Sequence, residues 1–185
     1  MKTYLSSVIK QMEYNKMLGE KTIDQVPADK LYWQPDESCN SIGMLAKHLH
    51  GNMLSRWTDF LTTDGEKPNR IRDEEFEPEA QTKEELLENW GEGWSCLLDT
   101  LRSLTDDDLS KTVYIRNMGQ TVIEAINRQV AHYSYHTGQI VFIGTLIMKK
   151  DWVSLSIPKG DSEKYNEEKF ADPKRQQHFT DDLLK

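Results

Sequence analysis

A chain of 185 residues is long enough to form one domain with its own hydrophobic core. Its 31 acidic and 23 basic residues give a formal net charge of −8 at pH 7, with no basic run longer than two residues. This balance argues against nucleic acid or an anionic membrane as the main partner, since both favour clustered lysine and arginine.

The sequence carries no targeting or membrane-spanning signal. The N-terminal segment lacks the apolar stretch of a signal peptide, and the longest apolar run, residues 140–148, is too short to cross a bilayer. The two cysteines, Cys39 and Cys96, have neither the spacing of a disulfide framework nor that of a CxxC site. These features predict a reduced, soluble, cytoplasmic protein.

Four segments carry apolar residues at helical spacing, and two of them lie in the N-terminal half. The first helix is predicted over residues 4–26, because apolar side chains recur at i, i+3, i+4 and i+7 and Pro27 limits its C-terminus. The second is predicted over residues 41–61, with Asn40 or Ser41 as its N-cap. An Asp-Gly pair marks the turn that follows it.

The other two helices are predicted over residues 82–104 and 121–149. Each begins with a Thr-x-x-Glu capping box, at Thr82 and at Thr121, and continues with an apolar stripe. The segment between them, residues 112–119, is β-prone but short. We expect an extended connection or a small hairpin there.

Amphipathic segments with little strand signal predict an all-α fold, because each apolar stripe must be buried against another helix. We therefore expect a four-helix bundle over residues 1–150. Residues 151–185 are mostly polar, and we expect a C-terminal extension that packs on the bundle rather than a second domain. Its apolar anchors would be Trp152, Leu155 and Ile157.

Three histidines form a candidate metal site in the predicted bundle. His132 and His136 are spaced i, i+4, so both imidazoles lie on one face of the fourth helix, one turn apart. His48 lies in the middle of the second helix on a face that should point inward. Three neutral imidazoles on one ion leave a coordination position open, which is typical of catalytic sites. The alternative is that these buried histidines are only hydrogen-bonded.

The other two histidines, and the residues next to His132 and His136, limit which kinds of metal site are expected. His50 should be solvated, because it lies on another face of the helix from His48, and His178 lies in the polar extension. No HExxH motif is present, which counts against a metalloprotease. Gln139 could orient a ligand, or could simply end the buried face of its helix.

Several segments resemble a known superfamily. Residues 132–139 have the form HxxxHxGQ and resemble the signature of the DinB-like (DinB/YfiT-like metalloenzyme) superfamily. Residues 33–49, which carry the pattern W-x-P … S-I-G … H-L, resemble the same superfamily. Residues 64–76 and 155–162 resemble its DUF1572 branch. Together these segments extend over nearly the whole chain.

The resemblance implies a four-helix bundle with up-down-down-up topology, a homodimer, and one divalent metal ion held by His48, His132 and His136. Zinc or nickel is the first expectation for the ion, with iron or manganese as alternatives, because imidazole ligands suit several of these metals.

The resemblance also implies a class of reaction. Members of the superfamily include enzymes that use low-molecular-weight thiols, such as bacillithiol transferases and the mycothiol-dependent maleylpyruvate isomerase. An ion with an open position can stabilise a thiolate without a separate base. We therefore predict thiol-dependent S-transferase chemistry on a small molecule. The alternatives are a metal-dependent hydrolase, in which a bound water is the nucleophile, and a non-catalytic metal-binding homodimer.

Charged residues outside the histidine set have two interpretations. An acidic run could supply a fourth ligand, although such a run in a loop is usually solvated: Asp73, Glu74 and Glu75. Four arginines could hold an anionic substrate, although surface ion pairs are the default: Arg56, Arg70, Arg72 and Arg116.

Aromatic residues near the motifs are predicted mainly as core. Trp33, Trp90 and Trp94 fit the interior better than a binding box. Tyr135 could act as an acid or base beside the metal, or could point elsewhere, because it is adjacent to His136.

Overall fold

The computed structural model describes residues 2–77 and 81–184 and is mostly helical. In these ranges the helices are α1 (Lys2–Gln25), α2 (Ile42–Trp57), α3 (Lys83–Ser103), α4 (Val122–Met148) and α5 (Ser162–Ala171). Strands β1 (Thr112–Ile115) and β2 (Met118–Thr121) form an antiparallel hairpin. Short 3-10 helices lie at Ala28–Lys30, Arg72–Phe76, Asp106–Ser110 and Lys149–Asp151. The prediction of a mainly helical chain is confirmed, with the small hairpin as its β component.

Helices α2, α3 and α4 begin at the caps that the sequence predicts, and α1 begins two residues before its predicted start. The Ser41 side chain accepts a hydrogen bond from the backbone N–H of Met44 (3.2 Å) at the start of α2. Complete capping boxes at Thr82 and Thr121 open α3 and α4. Each cap satisfies backbone N–H groups that have no partner inside the helix, which fixes these N-termini.

Helix α2 is shorter than predicted, because it ends at Trp57 rather than at residue 61. Thr58 has extended backbone angles, and Asp59 has a φ of 50° in the left-handed region. This conformation ends the i to i−4 hydrogen-bond ladder and turns the chain into the loop before α3.

The four long helices pack pairwise around an apolar core. Helix α1 packs against α3 and α4, and α2 packs against the same two helices. Between α2 and α4, the indole N–H of Trp57 donates to the hydroxyl of Tyr133 (2.9 Å), which donates to Oδ1 of Asn52 (3.0 Å). All three side chains are buried. This chain of hydrogen bonds ties α2 to α4 beside the candidate site.

The hairpin docks on the loop that follows α2. Its turn residues, Arg116 and Asn117, have φ values of 54° and 60°, as a two-residue hairpin turn of the primed type requires. The carboxylate of Asp64 accepts hydrogen bonds from the backbone N–H groups of both turn residues (2.9 and 2.8 Å). This contact fixes the position of Arg116.

The C-terminal segment runs back along α1. The side chain of Gln25 bonds both to the N–H (2.8 Å) and to the C=O (3.2 Å) of Val153. Farther along, Thr180 is fully buried and Asp181 pairs with Lys10 (2.5 Å).

The predicted apolar anchors differ in their exposure. Trp152 lies against α4 beside Gly144, and Leu155 is half-buried. Ile157, by contrast, is 40% exposed, so it anchors the segment weakly. Helix α5 was not predicted. Its sequence carries no apolar stripe, and accordingly it has no buried residue.

Two further observations concern the environment of the chain. No helix in the described ranges is long and apolar enough to cross a membrane. Cys39 is exposed and Cys96 is half-buried, and both are free thiols. Burial raises the pKa of the Cys96 thiol.

Candidate metal centre

Three histidines from two helices converge on one point. His48 comes from α2, and His132 and His136 come from α4. Each offers one imidazole nitrogen, and the three nitrogens lie within 4.8 Å of one another. The Nε2 atoms of His48 and His132 are 3.2 Å apart. His48 is buried and the other two are half-buried. The structure thus brings together the three histidines singled out from the sequence.

A buried ion pair orients His48. Its Nδ1 lies 2.8 Å from Oε2 of Glu75. Arg70 donates to the same carboxylate through two nitrogens, at 2.7 and 2.8 Å. A carboxylate only accepts, so Nδ1 of His48 carries the proton and Nε2 presents its lone pair to the cluster. The ring of Phe76 stacks on His48 with centroids 4.7 Å apart.

The two histidines of α4 differ in their support. Nδ1 of His136 lies 2.8 Å from Oε1 of Gln139, and the amide of Gln139 donates to the hydroxyl of Tyr135 (3.3 Å). Since an amide oxygen only accepts, Nε2 of His136 is the nitrogen that can bind a ligand. Nδ1 of His132, in contrast, is buried without a hydrogen-bond partner in the described part of the chain.

The electrostatics keep the α4 imidazoles neutral. Burial, together with the neighbouring His136 and His48, lowers the pKa of His132 to about 3. Burial also lowers the pKa of His136. Burial acts to raise the pKa of Glu75, but hydrogen bonds from His48 and Arg70 and the charge of Arg70 outweigh it and leave this pKa below its usual range. Neutral imidazoles are the form that binds metal ions.

The donor set fits a divalent transition-metal ion. In the absence of a cation, the lone pairs of His48 and His136 would face a common point beside Nε2 of His132. Imidazole nitrogens suit zinc, nickel, copper and iron. The cluster contains no carboxylate among the described residues, so three protein ligands would leave a position open.

The acidic run behaves differently from the solvated surface that its sequence suggested. Asp73 and Glu74 are exposed, but Glu75 is only 6% exposed. Glu75 contacts the nitrogen of His48 that points away from the cluster, so it orients His48 and is not itself placed to be a fourth metal ligand. The short 3-10 helix Arg72–Phe76 turns this one residue inward.

A cavity of about 370 Å³ opens beside the histidines. Its polar walls include five arginines, which are Arg56, Arg70, Arg72, Arg116 and Arg128. The side chains of Arg56 and Arg70 are only 9% and 5% exposed, so the prediction that they form surface ion pairs is wrong.

Arg128 was not singled out in the sequence. It lies one turn before His132, and that i, i+4 spacing was the signal that could have found it.

The other candidates lie away from the cluster. His50 bonds to Glu92 of α3 (2.8 Å), and His178 bonds to Ser7 and Thr180, so neither reaches the site. Tyr135 is 63% exposed. Trp90 and Trp94 are buried as predicted, whereas Trp33 is 39% exposed and is not core.

The fold and the site therefore define a mostly helical protein with a buried three-histidine cluster that could hold a metal ion. The chain belongs to the DUF1572 family, described as proteins of unknown function, whose family model matches residues 1–161. A search of curated proteins gives no significant match. The family assignment thus brings no activity with it, and function has to be argued from the site.

Proposed function

We propose that this protein is a metal-dependent enzyme of the DinB-like superfamily, with the up-down-down-up four-helix topology of that group. It binds one divalent ion through His48, His132 and His136 and transfers a small thiol to an electrophile. The observation that supports this proposal is the convergence of three imidazole nitrogens within 4.8 Å at the wall of a cavity. Zinc and nickel are the first candidates for the ion.

The residues around the cluster suit thiol transfer better than base-assisted hydrolysis. When bound, a divalent ion lowers the pKa of a thiol or water in its open position. No aspartate or glutamate lines the cavity in the described part of the chain, so no carboxylate is placed as a general base. Glu75 is already engaged with His48 and Arg70. A thiol that loses its proton to solvent needs no such base.

The reaction balances without a redox partner. The thiol sulfur forms a bond to a carbon of the electrophile, and the leaving group departs with the electron pair of the broken bond. The thiol proton goes to solvent. The chain itself orients His48 through Glu75 and His136 through Gln139.

The first test is metal stoichiometry measured by elemental analysis. The unmodified chain should carry about one ion, and His136→Ala should lose it while keeping its fold, because α4 retains its apolar stripe. His50→Ala and His178→Ala are matched controls and should keep the ion. Full metal retention in His136→Ala would contradict the proposed ligand set.

The second test is an activity screen with cysteine and glutathione as thiols and monochlorobimane as electrophile. We expect adduct formation that chelator abolishes and added metal restores. Metal-dependent ester hydrolysis without thiol transfer would favour the hydrolase instead. Loss of thermal stability on chelation without either activity would favour a non-catalytic metal-binding role.

We also propose a homodimer. Besides the family resemblance, α4 carries a row of exposed apolar side chains at Tyr135, Phe142 and Leu146, which are 63%, 64% and 39% exposed. Sedimentation velocity at micromolar concentration should give a dimer, and Phe142→Glu should give a monomer. Phe170→Glu, on the exposed helix α5, is the control and should leave the dimer intact. A monomeric unmodified chain would contradict this proposal.

A further inference from the structure

The cavity beside the histidines is strongly cationic in a chain of net charge −8. Its lining residues include five arginines and, in the described ranges, no carboxylate. These arginines come from α2, from the loop and 3-10 helix that follow it, from the hairpin turn and from α4. Their convergence is therefore a product of the fold and not of one basic run in the sequence.

Two of the five arginines have their charge compensated by carboxylates, of which Glu75 is buried and Glu66 is half-buried. Arg70 makes a bidentate pair with Glu75. Arg56 pairs with Glu66 at 3.0 Å and also donates to the backbone carbonyl of Gly65. Ion pairs of this kind allow a guanidinium group to be buried. Arg56 and Arg70 therefore form part of the cavity wall and need no ligand to balance their charge.

The other three arginines have little or no charge compensation. Arg128 makes no ion pair or hydrogen bond in the part of the chain that the structure describes. Arg72 pairs only with Asp73, at 3.7 Å, and that carboxylate is 97% exposed, so the pair is weak. Arg116 lies 3.3 Å from Glu66, a carboxylate already shared with Arg56.

Buried polar groups complete the wall. Gln129 is 4% exposed, and its Oε1 has no hydrogen-bond partner among the described residues. Oδ1 of Asn52 accepts from Tyr133, which turns the amide N–H groups of Asn52 toward other acceptors. A buried polar group without a partner is costly. An amide oxygen only accepts, so a hydrogen-bond donor on a ligand, and not its anionic group, would satisfy Oε1 of Gln129.

We propose that this cavity binds a small organic molecule through a carboxylate or phosphate group, held by Arg72, Arg116 and Arg128, with its reacting atom beside the histidine cluster. The orientation toward the histidines rests on the proposed function, whereas anion binding does not. The volume of about 370 Å³ suits a small molecule. Guanidinium groups match the planar carboxylate and the phosphate oxygens through paired hydrogen bonds.

The experiment is isothermal titration calorimetry on the full chain, both metal-loaded and chelator-treated. The probes are inorganic phosphate, succinate, and succinamide, the neutral counterpart of succinate. We expect phosphate or succinate to bind and succinamide not to bind, and the preferred anion identifies which of the two groups the cavity recognises. Arg116→Gln and Arg128→Gln should each weaken binding about tenfold, because each removes a charge-assisted contact.

Arg102→Gln is the matched control, since Arg102 lies on α3 and pairs with Glu13 and Asp99. Its anion affinity should stay within about twofold of the unmodified chain, and all variants should keep their metal content and melting temperature. Absence of anion binding, equal binding of succinamide, or equal loss in Arg102→Gln would overturn the proposal. Arginine-dependent anion binding, together with no metal uptake in the elemental analysis, would support this cavity and contradict the metal proposal, so the two failures are distinguishable.

Discussion

The cavity beside the histidines differs sharply from the cleft between α1 and the C-terminal segment. The cleft has a volume of about 850 Å³, against about 370 Å³ for the cavity. Its walls are mainly apolar, with Val153, Leu155 and Tyr165 among them. No histidine and no arginine lines the described part of this cleft. The smaller cavity has both, so the histidines and the arginines around them, and not volume, mark the candidate site.

The two regions also differ in how they are held. The histidine cavity is supported by a buried network that joins α2, the 3-10 helix Arg72–Phe76 and α4. The cleft depends on contacts at the surface, such as the bonds between Gln25 and Val153. Buried charges impose a large cost when a partner is lost, while exposed hydrogen bonds impose a small one. Substitutions in the two regions should therefore have different magnitudes and different consequences for metal binding.

The largest effect is expected for Glu75→Gln. Removal of this charge leaves the buried Arg70 with only the more distant carboxylate of Glu66, at 3.7 Å, and weakens the orientation of His48. The free energy of unfolding should therefore fall by about 3 kcal/mol. Metal affinity should fall about 10- to 100-fold, as for other groups that orient a ligand. Urea unfolding and chelator competition measure the two effects. Glu74→Gln, at the exposed neighbouring residue, should change neither the free energy of unfolding nor the metal affinity. Equal effects in the two variants would show that the buried network around Glu75 is no more important than exposed surface charge.

The second effect concerns the link between α2 and α4. Tyr133→Phe should destabilise the chain by about 1–3 kcal/mol, because Trp57 and Asn52 lose a buried partner. Tyr135→Phe is the control on the same helix, and its exposed hydroxyl should contribute less than about 0.5 kcal/mol. Urea unfolding of both variants provides the measurement. A Tyr133→Phe variant as stable as the unmodified chain would show that this hydrogen-bond chain does not support the site.

The third prediction compares alanine substitutions at two glycines, Gly51 in α2 and Gly91 in α3. A Cβ at Gly51 would lie 2.3 Å from Oε1 of Glu75, whereas a Cβ at Gly91 would meet nothing within 4 Å. Gly51→Ala should therefore displace the Glu75 carboxylate from His48 and Arg70 and destabilise the chain by about 1–2 kcal/mol.

Gly91→Ala should stabilise the chain by about 0.5–1 kcal/mol through helix propensity alone. Thermal unfolding and metal titration of the two proteins check this contrast. Unchanged metal affinity in Gly51→Ala would mean that the position of Glu75 matters little to the histidines.

The smallest effect is expected on the side of the cleft. Gln25→Ala removes two exposed hydrogen bonds to Val153 and should cost about 1 kcal/mol. Hydrogen exchange should increase in residues 152–155, while metal content stays unchanged. Gln176→Ala, in the same C-terminal segment, is the control. A loss of metal in Gln25→Ala would show that the cleft and the cavity are coupled, which their separate supports do not suggest.

Local sequence signals were sufficient for the elements of the fold that depend on neighbouring residues. The Thr-x-x-Glu boxes at Thr82 and Thr121 predicted two helix starts, because a cap is formed within four residues. The pairing of His132 with His136 was equally predictable, because helical geometry brings i and i+4 together. Helices were predicted from apolar stripes. Helix α5 buries no residue and has no such stripe, so it was not predicted.

The sequence by itself determined the four long helices, the caps of α2, α3 and α4, and the two histidines that share one face of α4. Only the tertiary structure decided that Glu75 turns inward to His48 while Glu74 remains exposed. The same holds for the arginine cavity, whose five guanidinium groups come from separate elements. Periodicity assigns a residue to a face of its own helix, but the energy of a buried charge depends on which distant residue lies opposite, and that pairing exists only when the helices are packed.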